Sequence, residues 1–400
     1  MEKKWLHAAI PALLIHMSIG SVYTWSLFKT QIAEHFGRNV HSIEWAFSLA
    51  IFFLGMSAAF LGPFVEKNLK RSAYLALAFF ISGFVLTGFS IQMNFLPGIY
   101  LFYGVVMGIG LGVGYLTPVK NLMLWYSEQK GLATGIAVAG FGLAKVLAAP
   151  LMEFIVAKTS VVTMFYILGA VYALMMFLGA LLIKRPEGYV YNIQKSKVPR
   201  MSIIKKKGFL PIWFMFYLNI TAGLAMISQE KDILRILLIE QGSPAVRILQ
   251  IVATVTALTA FFNTAGRLFF SSLSDKLKQR ETSYQLLFLM SIGGSLLYLV
   301  AYTFAPGHLW PAMLLLFLVN AGYGGGFSTL PVLLDQHFGI ETISTVHGLT
   351  LSAWAFAGLT GNQLSALLVH TWELSYSAVV SVILGMYLVA FATVSYVKKI

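Results

Sequence analysis

The stretch "AFFNTAGRLFF", residues 260–270, sets one arginine inside a run that otherwise reads as buried membrane helix. Three basic residues lie at such depth: Lys120, Lys145 and Arg267. An ionised side chain at mid-helix costs at least about 2.5–3.5 kcal/mol even on lenient insertion scales, so it usually faces an aqueous pathway. Arg267 is eight residues from Asp275, the first charge toward one end of its run. At about 1.5 Å per residue that is about 12 Å, close to the middle of a hydrocarbon core of about 30 Å. The residue one turn earlier is Asn263, not a carboxylate. A guanidinium is a planar fork that matches a carboxylate bidentately, so Arg267 is a candidate anion site. The competing reading is a structural arginine held by helix carbonyls or a distant acid. Lys145, in "GFGLAKVLAAP", is near the middle of its run. It is either a second cation for substrate or the partner of a buried acid, Glu153 being two turns further on. Lys120 stands about a turn and a half from the end of its run, near Trp125, where snorkelling accounts for it.

Aromatic residues crowd the same depth: Tyr23 in "GSVYTWSLF", then Tyr115, Tyr323, Phe327 and Trp354. In membrane helices such residues are more often packing or interface anchors. Several of them around a cation make a cage with apolar walls, a phenolic hydroxyl or two, and a charge that fixes orientation. The cage suits a substrate of a few heavy atoms. Large sugars call for many Asn, Gln, Asp and Glu residues in the spans, and these are scarce. His16 is a candidate proton site, with a hydrogen-bonded buried histidine as the competing reading. No nucleophile–base pair, metal-ligand cluster or cofactor motif occurs in the apolar runs, so neither an enzyme nor a cofactor is expected. Cysteine is absent, which removes disulfides and thiolate metal sites.

These residues need elements to hold them. Of 400 residues 58% are hydrophobic and 11% charged, with a mean hydropathy of +0.78. A soluble domain carries roughly 25% charged residues, so the chain reads as an all-α integral membrane protein. About twelve apolar segments fall near 6–28, 44–65, 73–91, 97–124, 131–156, 162–183, 210–229, 247–273, 284–304, 308–333, 345–369 and 374–397. The first is too long for a signal-peptide core and has no small-residue cleavage site, so it is kept as a span. Nineteen of the 28 basic residues fall in one alternate set of connecting segments and six in the other. By the positive-inside rule both termini and the central loop are cytoplasmic. The net charge of +13 is then topology and attraction to membrane lipid, not nucleic-acid binding. The one long polar stretch, 184–209, reads as a flexible cytoplasmic linker between residues 1–183 and residues 210–400, each with six spans.

The halves repeat. "GVGYLTP", Gly112 to Pro118, matches "GGGFSTLP", Gly324 to Pro331. Tyr115 and Phe327 are 212 residues apart, Pro118 and Pro331 213, and Glu66 and Asp275 209. Such a parallel duplication gives two pseudo-symmetric six-helix bundles, the major facilitator arrangement, with substrate held at mid-membrane between halves that rock alternately. Glycines spaced by four, Gly104, Gly108 and Gly112, allow close helix approach. Without a preceding strand or a following GK[ST], and with membrane helix on both flanks, a nucleotide-loop reading is weak. Glu66 with Lys67, and Asp275 with Lys276, sit at run ends and are expected to pair between helices as a gating latch.

The words "GSVYTWSLF", "GIGLGVGYLTP", "WYSEQKGLATGIAVAGFG", "RPEGY", "NITAGLAMIS", "AGRLFFSSLSDK" and "GYGGGFSTLPVLLDQHFG" occur in order along the chain. In these it resembles the oxalate/formate antiporter family of the major facilitators, which is related to the monocarboxylate transporters. The resemblance implies that Arg267 is the partner of the substrate carboxylate. It also implies that Tyr23, Tyr115, Tyr323, Phe327 and Trp354 line the cage, Phe327 standing where some relatives have a hydroxyl. Two departures matter. Oxalate transporters carry a lysine in the eleventh span, whereas here no Lys or Arg lies between Thr345 and Trp372. Animal lactate transporters carry an Asp one turn before the arginine, whereas here it is Asn263. One cation favours a monocarboxylate, and Lys145 leaves a dicarboxylate open. The expectation is a monomeric secondary transporter of the bacterial cytoplasmic membrane. It would move a small organic anion such as lactate, pyruvate or formate by proton symport or anion exchange. Oxalate or dicarboxylate exchange through Lys145, or a transporter-like carboxylate sensor, are the alternatives.

Overall fold

The structure is a computed structural model that describes residues 2–189, 199–304 and 307–400. It is helical almost throughout. The long helices are α1 Trp5–Phe36, α2 Val40–Lys67, α3 Leu69–Gln92, α4 Leu96–Trp125, α5 Lys130–Lys158 and α6 Val161–Leu182. They continue with α7 Phe209–Glu240, α8 Ala245–Lys276, α9 Glu281–Phe304, α10 Leu309–Phe338, α11 Ile343–Ala366 and α12 Tyr376–Val397. Among the described residues eleven are long and apolar enough to cross a membrane. The remaining long helix, α11, is diluted by Ser344, Thr345, His347 and Thr350.

Helix limits follow local chemistry. Asn39 caps α2, its Oδ1 accepting the Ser42 N–H at 2.8 Å, and Ser160 caps α6, its Oγ accepting the Thr163 N–H at 3.1 Å. α7 runs well past the expected end near residue 229. Glu230, Lys231 and Asp232 close the apolar window, but Ile233, Leu234, Leu237 and Leu238 keep the helical period and are buried. The glycine stripe of α4 does what its spacing implies. A Cβ on Gly104, Gly108 or Gly112 would lie 2.7, 2.8 or 2.2 Å from Leu49, Phe53 or Leu54, all on α2. Part of the expected linker, 190–198, lies outside the described residues. After it comes a short helix, Arg200–Ile204.

Two compact units result. The first is Met1–Ile204 with Leu334–Ala355; the second is Lys205–Leu333 with Phe356–Ile400. The first crossing between them, at 204/205, lies in the stretch read as a linker. The segment Leu334–Ala355 belongs with the N-terminal unit because its polar groups are bound there, as described next.

Candidate functional site

In the second unit the polar centre is on α8. Arg267 is 3% exposed, and its Nε–H donates to Asn263 Oδ1 at 3.0 Å, one turn away. The guanidinium lies over the Phe327 ring, Cζ 6.0 Å from its centroid, within cation–π range. Phe327 is met edge-on by Tyr323 and Phe216, with centroids 5.1 and 5.2 Å away. The backbone of Arg267 is held too: the Ser271 and Ser328 hydroxyls donate to its carbonyl at 2.5 and 2.7 Å. α10 comes this close because Gly324 has no side chain; a Cβ there would lie 2.1 Å from Asn263 O. Arg267, Asn263, Tyr323 and Phe327, four of the expected site residues, are thus one cluster.

The other expected aromatics gather in the first unit. Tyr115 is fully buried on α4. Trp354 and Phe141 meet it edge-on, with centroids 5.8 and 5.6 Å away, and Tyr23 meets Phe141 edge-on at 5.4 Å. His16 stacks on Tyr115 at 5.4 Å and 25°. Its Nδ1 is against Ala137 O and its Nε2 is 3.2 Å from Tyr115 O. His347 meets Tyr115 from another side, at 5.8 Å and 64°. Lys145 is half-buried, one turn after Phe141 on α5. The sequence reading passed over Phe141, Phe216 and His347. The signal for His347 was its spacing: seven residues, two turns, before Trp354 and therefore on the same helix face.

Lys120 corrects the reading as a snorkelling residue. It is 2% exposed and ion-paired with Glu66, itself 1% exposed. Lys120 Nζ also donates to Ile340 O, and the Ser344 N–H donates to Glu66 Oε2 at 2.6 Å. A carboxylate at the first turn of α11 satisfies a backbone donor that the helix leaves open and complements its dipole. A buried lysine can do this only because the carboxylate opposite neutralises it. At the ends of α5 and α10 Lys130 pairs with Asp335 at 2.5 Å, and outside the spans the Tyr189 hydroxyl donates to Glu341 Oε2 at 3.1 Å. Burial, with the negative Glu341 beside it, holds the Tyr189 phenol well above its usual range. The other expected latch residues are placed differently. Lys67 is exposed, Asp275 is 3.4 Å from Arg280 Nη1, and Lys276 is exposed at the end of α8.

A chain of long apolar helices with a buried arginine and clustered rings finds its relatives among transporters. The Major Facilitator Superfamily profile matches residues 12–362, and the chain belongs to that superfamily. It is a membrane transporter, not an enzyme. An oxalate:formate antiporter of Oxalobacter formigenes is 23% identical, covering 98% of this chain and 91% of its own. The uncharacterized MFS-type transporter YhjX of Escherichia coli (strain K12) is 26% identical, covering 86% and 83%. Apicoplast pyruvate carrier 1 of Toxoplasma gondii is 21% identical, covering 87% and 81%. Among solved structures, the transporter FucP superposes with a TM-score of 0.72 at 14% identity, covering 98% of both chains, which shows the shared fold.

Proposed function

We propose that the chain is a secondary carrier of small carboxylates of the lactate, pyruvate or formate type, working by alternating access as proton symport or anion exchange. The observation that carries this is Arg267: a buried guanidinium at mid-helix, set in place by Asn263 and backed by the Phe327 ring. Relatives named for oxalate, formate and pyruvate support it. In the second unit Arg267 takes the carboxylate, Asn263 orients it, and Tyr323 and Phe327 supply apolar wall and hydroxyl; in the first unit Tyr23, Tyr115 and Trp354 are the aromatic surface offered to substrate. Lys145 is the group that would admit a dicarboxylate. Glu66 serves the gate, and the bond it accepts from the Ser344 N–H favours that role. The bias of basic residues favours both termini inside, and the bacterial relatives favour a bacterial cytoplasmic membrane.

The test is counterflow: purified protein in liposomes, preloaded with unlabelled carboxylate, exchanging against a panel of labelled mono- and dicarboxylates. Losing the charge-assisted pair to substrate, worth about 1.5–3 kcal/mol, lowers exchange by about 10- to 100-fold in Arg267→Gln. Equal exchange by wild type and variant would sink the assignment of the arginine. Comparing Lys145→Met on oxalate and on pyruvate separates the dicarboxylate reading from the monocarboxylate one.

A further inference from the structure

Tyr115 has a histidine against each of two sides, and the two differ. His16 has both ring nitrogens against backbone carbonyls. His347 is 1% exposed, yet its Nε2 is buried without a hydrogen-bond partner among the described residues. A buried polar atom left unsatisfied costs about 1–3 kcal/mol, and in a native fold it asks for a reason. At this level α11 packs backbone to backbone on α2. A Cβ on Gly348 would lie 2.1 Å from Ala58 O, and one on Gly62 would lie 2.5 Å from Ser344 O.

His347 also occupies a particular place. It stands three residues after Ser344, whose N–H is held by Glu66, and seven before Trp354. It therefore joins the bound start of α11 to the aromatic cluster. Among the titratable and charged groups on the elements around it are Glu66 on α2, Tyr115 and Lys120 on α4, His16 and Tyr23 on α1, Lys130 and Lys145 on α5, and Asp335, Glu341 and Tyr189 on the flanking segments. Glu66 is neutralised by Lys120, and Asp335 by Lys130. Imidazole is the side chain whose ordinary titration falls across neutral pH.

We propose that His347 is the proton-binding group that couples proton movement to carboxylate transport. This rests on the reading of the chain as a carboxylate carrier. A buried cation is costly unless an anion pairs with it, and the carboxylates of Glu66 and Asp335 are already taken by Lys120 and Lys130. An imidazolium there is therefore unfavourable until an anion arrives. By linkage, the proton raises affinity for the anion by the same factor as the anion raises affinity for the proton. The Nε2 lone pair takes a proton from water on the loading side as the carboxylate enters. When the carboxylate leaves, the proton returns to water on the other side and the neutral ring is restored. One proton and one carboxylate move together, with no net charge.

The experiment uses the full chain in liposomes, with the carboxylate that gives the strongest counterflow and with the membrane potential clamped. For a one-proton symporter a pH difference of one unit, about 1.4 kcal/mol, drives about tenfold accumulation. Wild type is expected to reach it. His347→Asn and His347→Gln are expected to keep counterflow, lose the accumulation and show a flat pH profile. Wild type that exchanges label but ignores the pH gradient overturns the proposal, as does either variant that still accumulates. Wild type that exchanges no carboxylate fails the carrier reading itself and takes this inference with it. Should neither variant exchange, proton uptake on substrate binding in detergent decides, read with a pH dye. No uptake by wild type, or equal uptake by His347→Asn, overturns the proposal.

Discussion

At Glu66 and Lys120 two charges share one dry site, each about 1% exposed. Their pairing was not readable from the sequence. Glu66 looked like a helix-end charge with Lys67 as its neighbour, and Lys120 looked long enough to reach water. The deciding contacts come from far along the chain: Ser344 binds Glu66 across 278 residues, and Ile340 binds Lys120 across 220. Removing one member strands the other. Glu66→Gln and Lys120→Met should each cost about 3–5 kcal/mol, while the double variant should cost less than either. Melting temperatures of the four proteins in one detergent check this; additive losses would mean that the pair is not coupled. Arg267 was the opposite case. Its Asn263 neighbour was read from spacing along one helix, whereas the approach of Gly324 comes from the packing of α10 on α8. Asn263, a candidate site residue standing where some relatives carry an Asp, accepts the Arg267 Nε–H.

The helices themselves were readable because bilayer thickness and apolar run length are tied together. What the runs do not carry is where a helix continues beyond the hydrocarbon. α7 extends to Glu240 on an amphipathic turn pattern that a hydropathy window averages away. The α4 glycines were readable too, and they make the element-level prediction. Gly112→Ala places a methyl 2.2 Å from Leu54 O and must push α2 and α4 apart, at about 1–3 kcal/mol. Gly293, in the middle of α9, has open space around it, and alanine there should stabilise the helix by about 1 kcal/mol. Thermal unfolding of the two variants should shift in opposite directions. Two shifts of the same sign would contradict the packing of α4 on α2.

At the scale of the molecule, the bias of basic residues predicts which loops face the cytoplasm. The chain has no cysteine, so single replacements report without background. Ser202→Cys, within the linker, should react with an impermeant maleimide only in opened cells. Thr159→Cys, between α5 and α6, should react in intact ones; the reverse pattern would invert the proposed orientation. The repeat and the compact units do not coincide, since α10 and α11 each contribute to both units. This has a consequence for biosynthesis. When the ribosome has released residue 204, the first unit still lacks Ile340 and Ser344, which complete the surroundings of Lys120 and Glu66. The N-terminal half must wait in the bilayer, unfinished, until the tenth and eleventh helices are inserted. Truncated nascent chains ending before residue 334 should therefore be the ones most readily handed to membrane quality control.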